Sequence, residues 1–388
     1  MPEDVHIAAR MLDIHPFHVM ALLARARELE AQGRDIVHME IGEPDFVTAD
    51  PIVEAGRTAL TQGRTHYTPA QGLPALREAI CAFYAQRYGA TVDPARVFIT
   101  PGASGALQLV CSALINPGES VLMADPCYPC NRNFVRLVEG RSLSIPVDAA
   151  THYQLTAELI AQYWQDDSVA AMVASPANPT GMLVAAQQLQ AMLEVVSDKG
   201  GRLIVDEIYH GLVYETEAAS ALQYSREAFV INSFSKYFGM TGWRIGWAVV
   251  PEAYCDAVNR LAQNLFLAAS TPAQFAALAA FEPASIAILE QRRAEFARRR
   301  DYLLPVLREL GFDIPVTPEG AFYIYADCSR FTDDSFSFAH NMLEEAGVAI
   351  TPGIDFGTHH ANRYVRFSYT TSMSRLEEGA RRLREYLK

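Results

Sequence analysis

The sequence predicts an α/β protein: a large domain on a mostly parallel sheet flanked by helices, and a smaller α+β domain assembled from both termini. Three observations carry this. Short β-branched runs alternate with longer helical patterns through the middle of the chain. Each of those runs ends at once in polar or turn-forming residues. The two ends of the chain carry amphipathic helices and only a few strand-like pieces. At 388 residues the chain exceeds what one hydrophobic core usually serves. The large domain is placed at 48–283, and the small one at 1–47 together with 284–388.

The elements follow in chain order. Residues 18–32 put Val19, Leu22, Leu23, Ala26 and Leu29 on one helical face. "RVFIT" (96–100) runs into "PGASGALQLVCSALI", a glycine turn that opens a helix. "SVLMA" (120–124), "AAMVAS" (170–175), "RLIVDE" (202–207) and "AFVINS" (228–233) read as further buried strands. Helical crossovers between such strands build a parallel sheet, whose ligands bind outside the carboxyl ends of the strands. Residues 284–310 read as a long basic-flecked helix with a break near Pro305. Its run Arg298-Arg299-Arg300 is set among glutamates and an aspartate, which predicts a solvated face. "AFYIYAD" and "YVRFSYT" are strand-like, and 373–388 place Leu376, Ala380, Leu383 and Leu387 on one helical face.

Charge and cysteine usage narrow the function. The net charge of −13 disfavours nucleic acid and anionic membrane as partners. The chain opens without a basic region followed by an apolar one, and no apolar run approaches a bilayer span, so a cytoplasmic location is expected. The six cysteines are scattered. Cys127 and Cys130 form a lone CxxC, read as two reduced thiols in a loop, because zinc needs two more ligands at matching spacing. His66, His210, His359 and His360 are read as solvent or structural histidines, and no metal site is expected.

The strand ends hold a consistent set of side chains. The "TPGASGA" turn aims backbone N–H groups and a helix N-terminus at an anion, with Ala103 and Ser104 at its tip. Ser233, Ser235 and Arg244 add hydroxyls and a cation, completing a phosphate cup. Asp206 ends an apolar strand, where a carboxylate needs a cationic or N–H partner such as a protonated ring nitrogen. Tyr209 and Asn178 offer a hydroxyl and an amide, Tyr128 a flat face, and Lys236 an amine. Together these describe one ligand, pyridoxal 5'-phosphate.

Five motifs in order, "IGEPDF" (41–46), "HYTPAQGLPALREAI" (66–80), "ASPANPTG" (174–181), "VDEIYHGLVY" (205–214) and "SFSKYFGMTGWRIGW" (233–247), closely resemble the fold-type I, class I/II aminotransferases. The resemblance runs on to "RFSYT" (366–370) and covers nearly the whole chain. It implies a ping-pong transamination between an L-amino acid and a 2-oxo acid, with Lys236 as the Schiff-base lysine. It implies that Asp206 keeps the pyridine nitrogen protonated, that Tyr209 and Asn178 bond the ring oxygen, and that Tyr128 stacks on the ring. Ser233, Ser235, Arg244 and the 103–104 backbone would hold the phosphate. Tyr67 would reach the phosphate of a neighbouring subunit in a homodimer with shared sites. Arg366 would grip the substrate carboxylate, helped by the Gly42 backbone.

Phe17 stands where many relatives have a small hydroxyl residue, which favours a neutral or aromatic substrate. A β-lyase, or a cyclopropane-forming synthase, would keep the same lysine, aspartate and phosphate cup. A non-catalytic sensor on this fold would normally carry a separate DNA-binding segment.

Overall fold

The computed structural model describes residues 6–388. Its twelve strands are β1 Val37–His38, β2 Val97–Thr100, β3 Ser120–Asp125, β4 Arg141–Pro146, β5 Ser168–Ala174, β6 Arg202–Asp206, β7 Phe229–Ser233, β8 Gly246–Val249, β9 Tyr323–Asp327, β10 Val348–Ala349, β11 Thr351–Pro352 and β12 Tyr364–Ser368. Seven of them form one sheet in the order β2-β8-β7-β6-β5-β3-β4. All neighbours in it are parallel except β8, which runs antiparallel to β2 and to β7. Reversing β8 matters for the site. Its first residue, Gly246, stands in register with both Thr100 and Ser233, the last residues of β2 and β7. One sheet edge therefore collects the ends of β2, β6 and β7 and the start of β8.

The sheet is buried on both faces, as parallel sheets are. Phe98, Val121, Met123, Ile204 and Ile231 pack on one side, with Leu107 and Val110 of the helix Gly102–Leu114. Leu122, Leu203, Val205, Val230 and Trp247 join the larger core on the other. The smaller sheets hold β1 beside β10, and β11-β12-β9. The helix His18–Ala31 buries the five residues expected from its periodicity. Its first turn has no cap of its own; the Asp355 carboxylate accepts the His18 and Val19 N–H groups at 2.9 and 2.8 Å.

The five expected strands all form, and β4 and β8 are additions. β4 is an edge strand, "RSLSIP", in which Ile145 alone is buried and no long apolar run occurs. β8 follows a glycine-rich stretch that reads as a loop. The expected break at Pro305 does not occur: one helix runs from Pro283 to Leu310 with Pro305 inside it. Burial of Leu303, Leu304 and Leu307 in the core offsets the lost N–H and holds the last turns in place. The expected solvated arginine face is also corrected. Arg299 and Arg300 are 3% and 2% exposed. Arg299 forks onto Asp45 at 2.8 and 3.1 Å and also meets Glu295. Arg300 bonds the Pro318 carbonyl and pairs with Glu215 and Asp301. Cys130 sits in the first turn of the helix Pro129–Leu137 and not in a loop, and both CxxC thiols are free.

The Arg299–Asp45 fork ties the long helix to the segment that follows "IGEP". Asp45→Leu leaves a buried guanidinium with Glu295 alone. It is expected to cost about 2 kcal/mol, read as a lowered thermal midpoint, while Asp301→Ala, on the exposed side of Arg300, costs well under half of that.

Candidate active site

The sheet edge opens into a cavity of about 440 Å³. Phe17, Gly42, Ala103, Ser104, Tyr128, Asn178, Asp206, Tyr209, Ser235, Lys236, Arg244 and Arg366 all line it. Two expected site residues do not. Ser233 is buried beneath the wall, where its hydroxyl accepts the Ser235 N–H at 3.1 Å and lies 3.1 Å from the Ile245 carbonyl and 2.9 Å from Ser235 Oγ. It positions Ser235 and does not itself face the cavity. Tyr67 is 81% exposed and outside the cavity of its own chain. A separate cavity of about 660 Å³ lies on the other side of Phe17, but it holds none of the strand-end residues.

The anion corner is built by backbone. Gly102 has φ +67°, and a Cβ there would lie 2.7 Å from an Arg244 guanidinium nitrogen. The absent side chain lets Arg244 close over the turn. Arg244 itself sits at φ 54°, ψ 53°, a left-handed conformation that a non-glycine residue adopts at a cost. Its guanidinium bonds the Thr241 carbonyl at 3.1 Å and meets no carboxylate among the described residues. The helix Gly102–Leu114 begins without a side-chain cap, so its first N–H groups face the same corner.

Asp206 is the next fixed point. It is 5% exposed, accepts the Ile208 N–H at 3.0 Å, and has no ion pair among the described residues. Burial pushes its carboxyl up to about 6, against the Ile208 N–H and the charge of Lys236, which pull it down. Lys236 Nζ donates to the Gly42 carbonyl at 2.5 Å. Burial pulls its ammonium down to about 8; Glu43 opposes this, Arg366 and Arg244 add to it, and Asp206 opposes it.

Arg366 is 2% exposed and donates to Asn178 Oδ1 at 2.9 Å and to the Glu40 carbonyl; its Nε is buried without a partner among the described residues. Tyr209 OH is 2.7 Å from Tyr323 OH. Tyr323 also packs against Gly42, where a Cβ would meet its hydroxyl oxygen at 2.0 Å, so only glycine fits. Phe17 meets Tyr128 edge-on, with ring centroids 6.4 Å apart.

The donor set suits pyridoxal 5'-phosphate. A buried carboxylate without a cation matches a ring N–H, and an arginine without a carboxylate beside free helix N–H groups matches a phosphate. A desolvated amine, Lys236, lines the same cavity.

Against known proteins, the chain matches the family Aminotransferase class I and II over residues 34–383. The chain belongs to this family. It is an enzyme, a transaminase. A valine–pyruvate aminotransferase of Mycobacterium tuberculosis is 40% identical over 376 residues, 96% of this chain and 97% of that one. A (5-formylfuran-3-yl)methyl phosphate transaminase of Methanocaldococcus jannaschii is 37% identical over 98% of this chain and 99% of that one. The crystal structure of the Thermus thermophilus aspartate aminotransferase with maleate superposes at TM-score 0.93 with 34% identity, covering 98% and 99% of the two chains. Family members depend in general on pyridoxal 5'-phosphate.

Tyr323, Ile41, Glu43, Thr241 and Arg27 also line the cavity and were not singled out from the sequence. Tyr323 had a signal: it starts a strand, and period-two alternation puts it on the same face as Tyr325. Arg27 and Glu43 had none, since both read as surface charges. Arg64 lies over the Phe275 ring, 4.5 Å from its centroid, and does not reach the cavity.

Behind Asp206, Glu207 is fully buried and accepts from Ser220 Oγ, the Ala221 N–H and Tyr84 OH. His210 Nδ1 lies 3.3 Å from it. Burial pushes Glu207 up from 4.5 to about 8 and pulls His210 down from 6.5 to about 3, so both are neutral near pH 7. Folded Glu207 keeps a proton that the unfolded chain has lost between pH 4.5 and 8. Its stabilising proton is fully held below that window, and stability falls as pH rises through it. His210 acts in the opposite sense only below 6.5. His38, raised to about 9 chiefly by its bond to Glu40, adds to the decline. Glu207→Gln is therefore expected to roughly halve the drop in thermal midpoint between pH 6.5 and 8, a difference of about 2 kcal/mol.

Proposed function

We propose that this cavity binds pyridoxal 5'-phosphate and moves an amino group from an L-amino acid to a 2-oxo acid in two half-reactions, by a ping-pong mechanism. The observation that carries the reading is one cavity that holds Lys236 together with a buried Asp206 and an Arg244 that, among the described residues, meet no cation and no carboxylate respectively. When bound there, the cofactor supplies an electron sink for the charge left when substrate Cα loses its proton.

The chain's own residues divide the rest of the work. Arg244, Ser235 and the Ala103 and Ser104 N–H groups hold the phosphate, with Ser233 bracing Ser235. Asp206 keeps the ring nitrogen protonated, and Tyr209 and Asn178 bond the ring oxygen. Tyr128 covers one ring face. Arg366 forks onto the substrate α-carboxylate, and the Gly42 backbone lines its approach. Lys236 would take the Cα proton as general base and, as general acid, deliver a proton to a site other than Cα; an amine brought down to about 8 can do both near neutral pH. Tyr67 stays free on its own subunit to reach the partner's site, which makes the working unit a homodimer in the cytoplasm.

Substrate choice falls to the wall opposite the sheet. Phe17, Val19, Met20 and Leu23 line it and supply an apolar surface for the substrate side chain. An apolar or aromatic stem fits this wall better than a short polar one.

Two tests follow. Lys236→Ala is expected to lower turnover by at least about a thousandfold while the protein still takes up the cofactor, seen in the visible absorbance of the dialysed protein. Release of pyruvate and ammonia from an amino acid, with no need for a 2-oxo acid acceptor, would instead identify a lyase. Phe17→Ser is expected to shift the phenylalanine-to-alanine ratio of kcat/KM about tenfold towards alanine. An unchanged ratio removes Phe17 from specificity.

A further inference from the structure

The helix His18–Ala31 does more than close the cavity with apolar groups. Val19, Met20, Leu23 and Arg27 all line it. At 100° per residue, positions 20, 23 and 27 fall within one narrow stripe, and seven residues of rise separate Met20 from Arg27 by about 10 Å. The wall is therefore apolar over its first two turns and ends in a cation.

That cation is uncommitted. Arg27 makes no hydrogen bond and no ion pair among the described residues, whereas Arg25, two positions earlier, forks onto Glu344 and also meets Glu28. The other acid of this turn, Glu30, is taken by His38 at 3.1 Å. The one further carboxylate of the cavity besides Asp206 is Glu43, which acts on Lys236 more strongly than any other charge and so belongs to the lysine end. Arg27 thus stands on the helix wall with no carboxylate bonded to it among the described residues, free to meet an incoming anion.

We propose that Arg27 is a specificity-determining residue, and that the preferred amino donor or 2-oxo acceptor has an apolar stem ending in an anion, a carboxylate or a phosphate ester. The stem lies along Met20 and Leu23, and the terminal anion meets Arg27. This rests on the cavity being the active site with Arg366 on the α-carboxylate. It adds a terminal charge to the apolar preference argued for Phe17.

The test compares donors matched in chain length on the cofactor-loaded enzyme: 2-aminoadipate, which ends in a carboxylate, and norleucine, which ends in a methyl. The wild type is expected to favour 2-aminoadipate in kcat/KM, mainly through KM. Arg27→Gln is expected to lower the 2-aminoadipate-to-norleucine ratio about tenfold, and Arg27→Glu further. O-phosphohomoserine, run beside them, tells a phosphate from a carboxylate preference. A wild-type ratio at or below one for both anionic donors, or a ratio unmoved by Arg27→Gln, overturns the assignment while leaving the active-site reading intact. A Lys236→Ala enzyme that still turns over norleucine overturns that reading and this one with it.

Discussion

The Asp206 carboxylate is held at the end of a central strand with, among the described residues, one N–H donor and no cation in bonding range, and the rest of the site is arranged around that imbalance. A buried carboxylate is costly unless it is paired. Here the cost appears as a carboxyl pushed up to about 6, and it is relieved only by something that brings a positive N–H to the strand end. The same cavity carries Lys236, Arg244 and Arg366, with Arg27 on the helix wall, against Asp206 and Glu43, an excess of positive charge. A ligand with a phosphate at one end and a protonated ring nitrogen at the other, joined by a substrate carboxylate, matches Arg244, Asp206 and Arg366 at once. The first three cations also act on each other: Arg366 and Arg244 both help to keep the Lys236 amine near the pH at which it can take and deliver a proton.

Holding those charges apart at fixed distances is a backbone problem. The antiparallel turn of β8 brings Gly246 against Thr100 and Ser233, so the phosphate corner is assembled from three strand ends in register. On the opposite side, residues 39–42 form a strap. The Met39 carbonyl accepts the Ser368 N–H, Thr351 and Thr370 bond the Glu40 and Ile41 carbonyls, and Arg366 and Lys236 donate to Glu40 and Gly42. Arg366 and Lys236 thus lean on two carbonyls of one strap, those of Glu40 and Gly42. Gly42 fits beside Tyr323 only because it lacks a Cβ, and Tyr323 in turn touches Tyr209. A shift of the strap would move both working cations together.

The strand ends were readable because they combine two signals: an apolar run that must be buried, and a polar residue at its end with no business being there unless it binds something. Asp206 and Asn178 showed that pattern; Arg366, in the middle of its strand, came only from the family resemblance. What escaped the sequence was set by tertiary packing. Pro305 stays helical because the core fills around its neighbours. Arg299 and Arg300 look like solvated charges in one dimension and are buried because their acids, Asp45 and Glu215, come from distant segments. β8 hides in a glycine-rich stretch, since its glycines serve the close approach at the phosphate corner and carry no apolar rhythm. Ser233 was placed in the phosphate cup with Ser235, but the strand ends at Ser233 and Ser235 lies in the turn beyond it, so Ser233 sits beneath the wall.

Chemistry and selectivity come from different parts of the chain. The groups proposed to handle the proton, the phosphate and the α-carboxylate sit on strands, the turns that follow them and the strap, where a changed side chain disturbs a buried network. The wall proposed to meet the substrate side chain comes from one N-terminal helix, capped by Asp355; its Val19 and Leu23 are buried and also line the cavity, while Met20 and Arg27 line it from the exposed side. Met20 and Arg27 on that wall are exposed, so their replacement costs little stability. An enzyme built this way can alter its substrate range by surface substitutions on one helix while its reacting groups stay in place, which is why an arginine with no partner on that helix is informative. The exposed acids nearby already pair with Arg25 and His38, so nothing in the fold requires Arg27 to be charged.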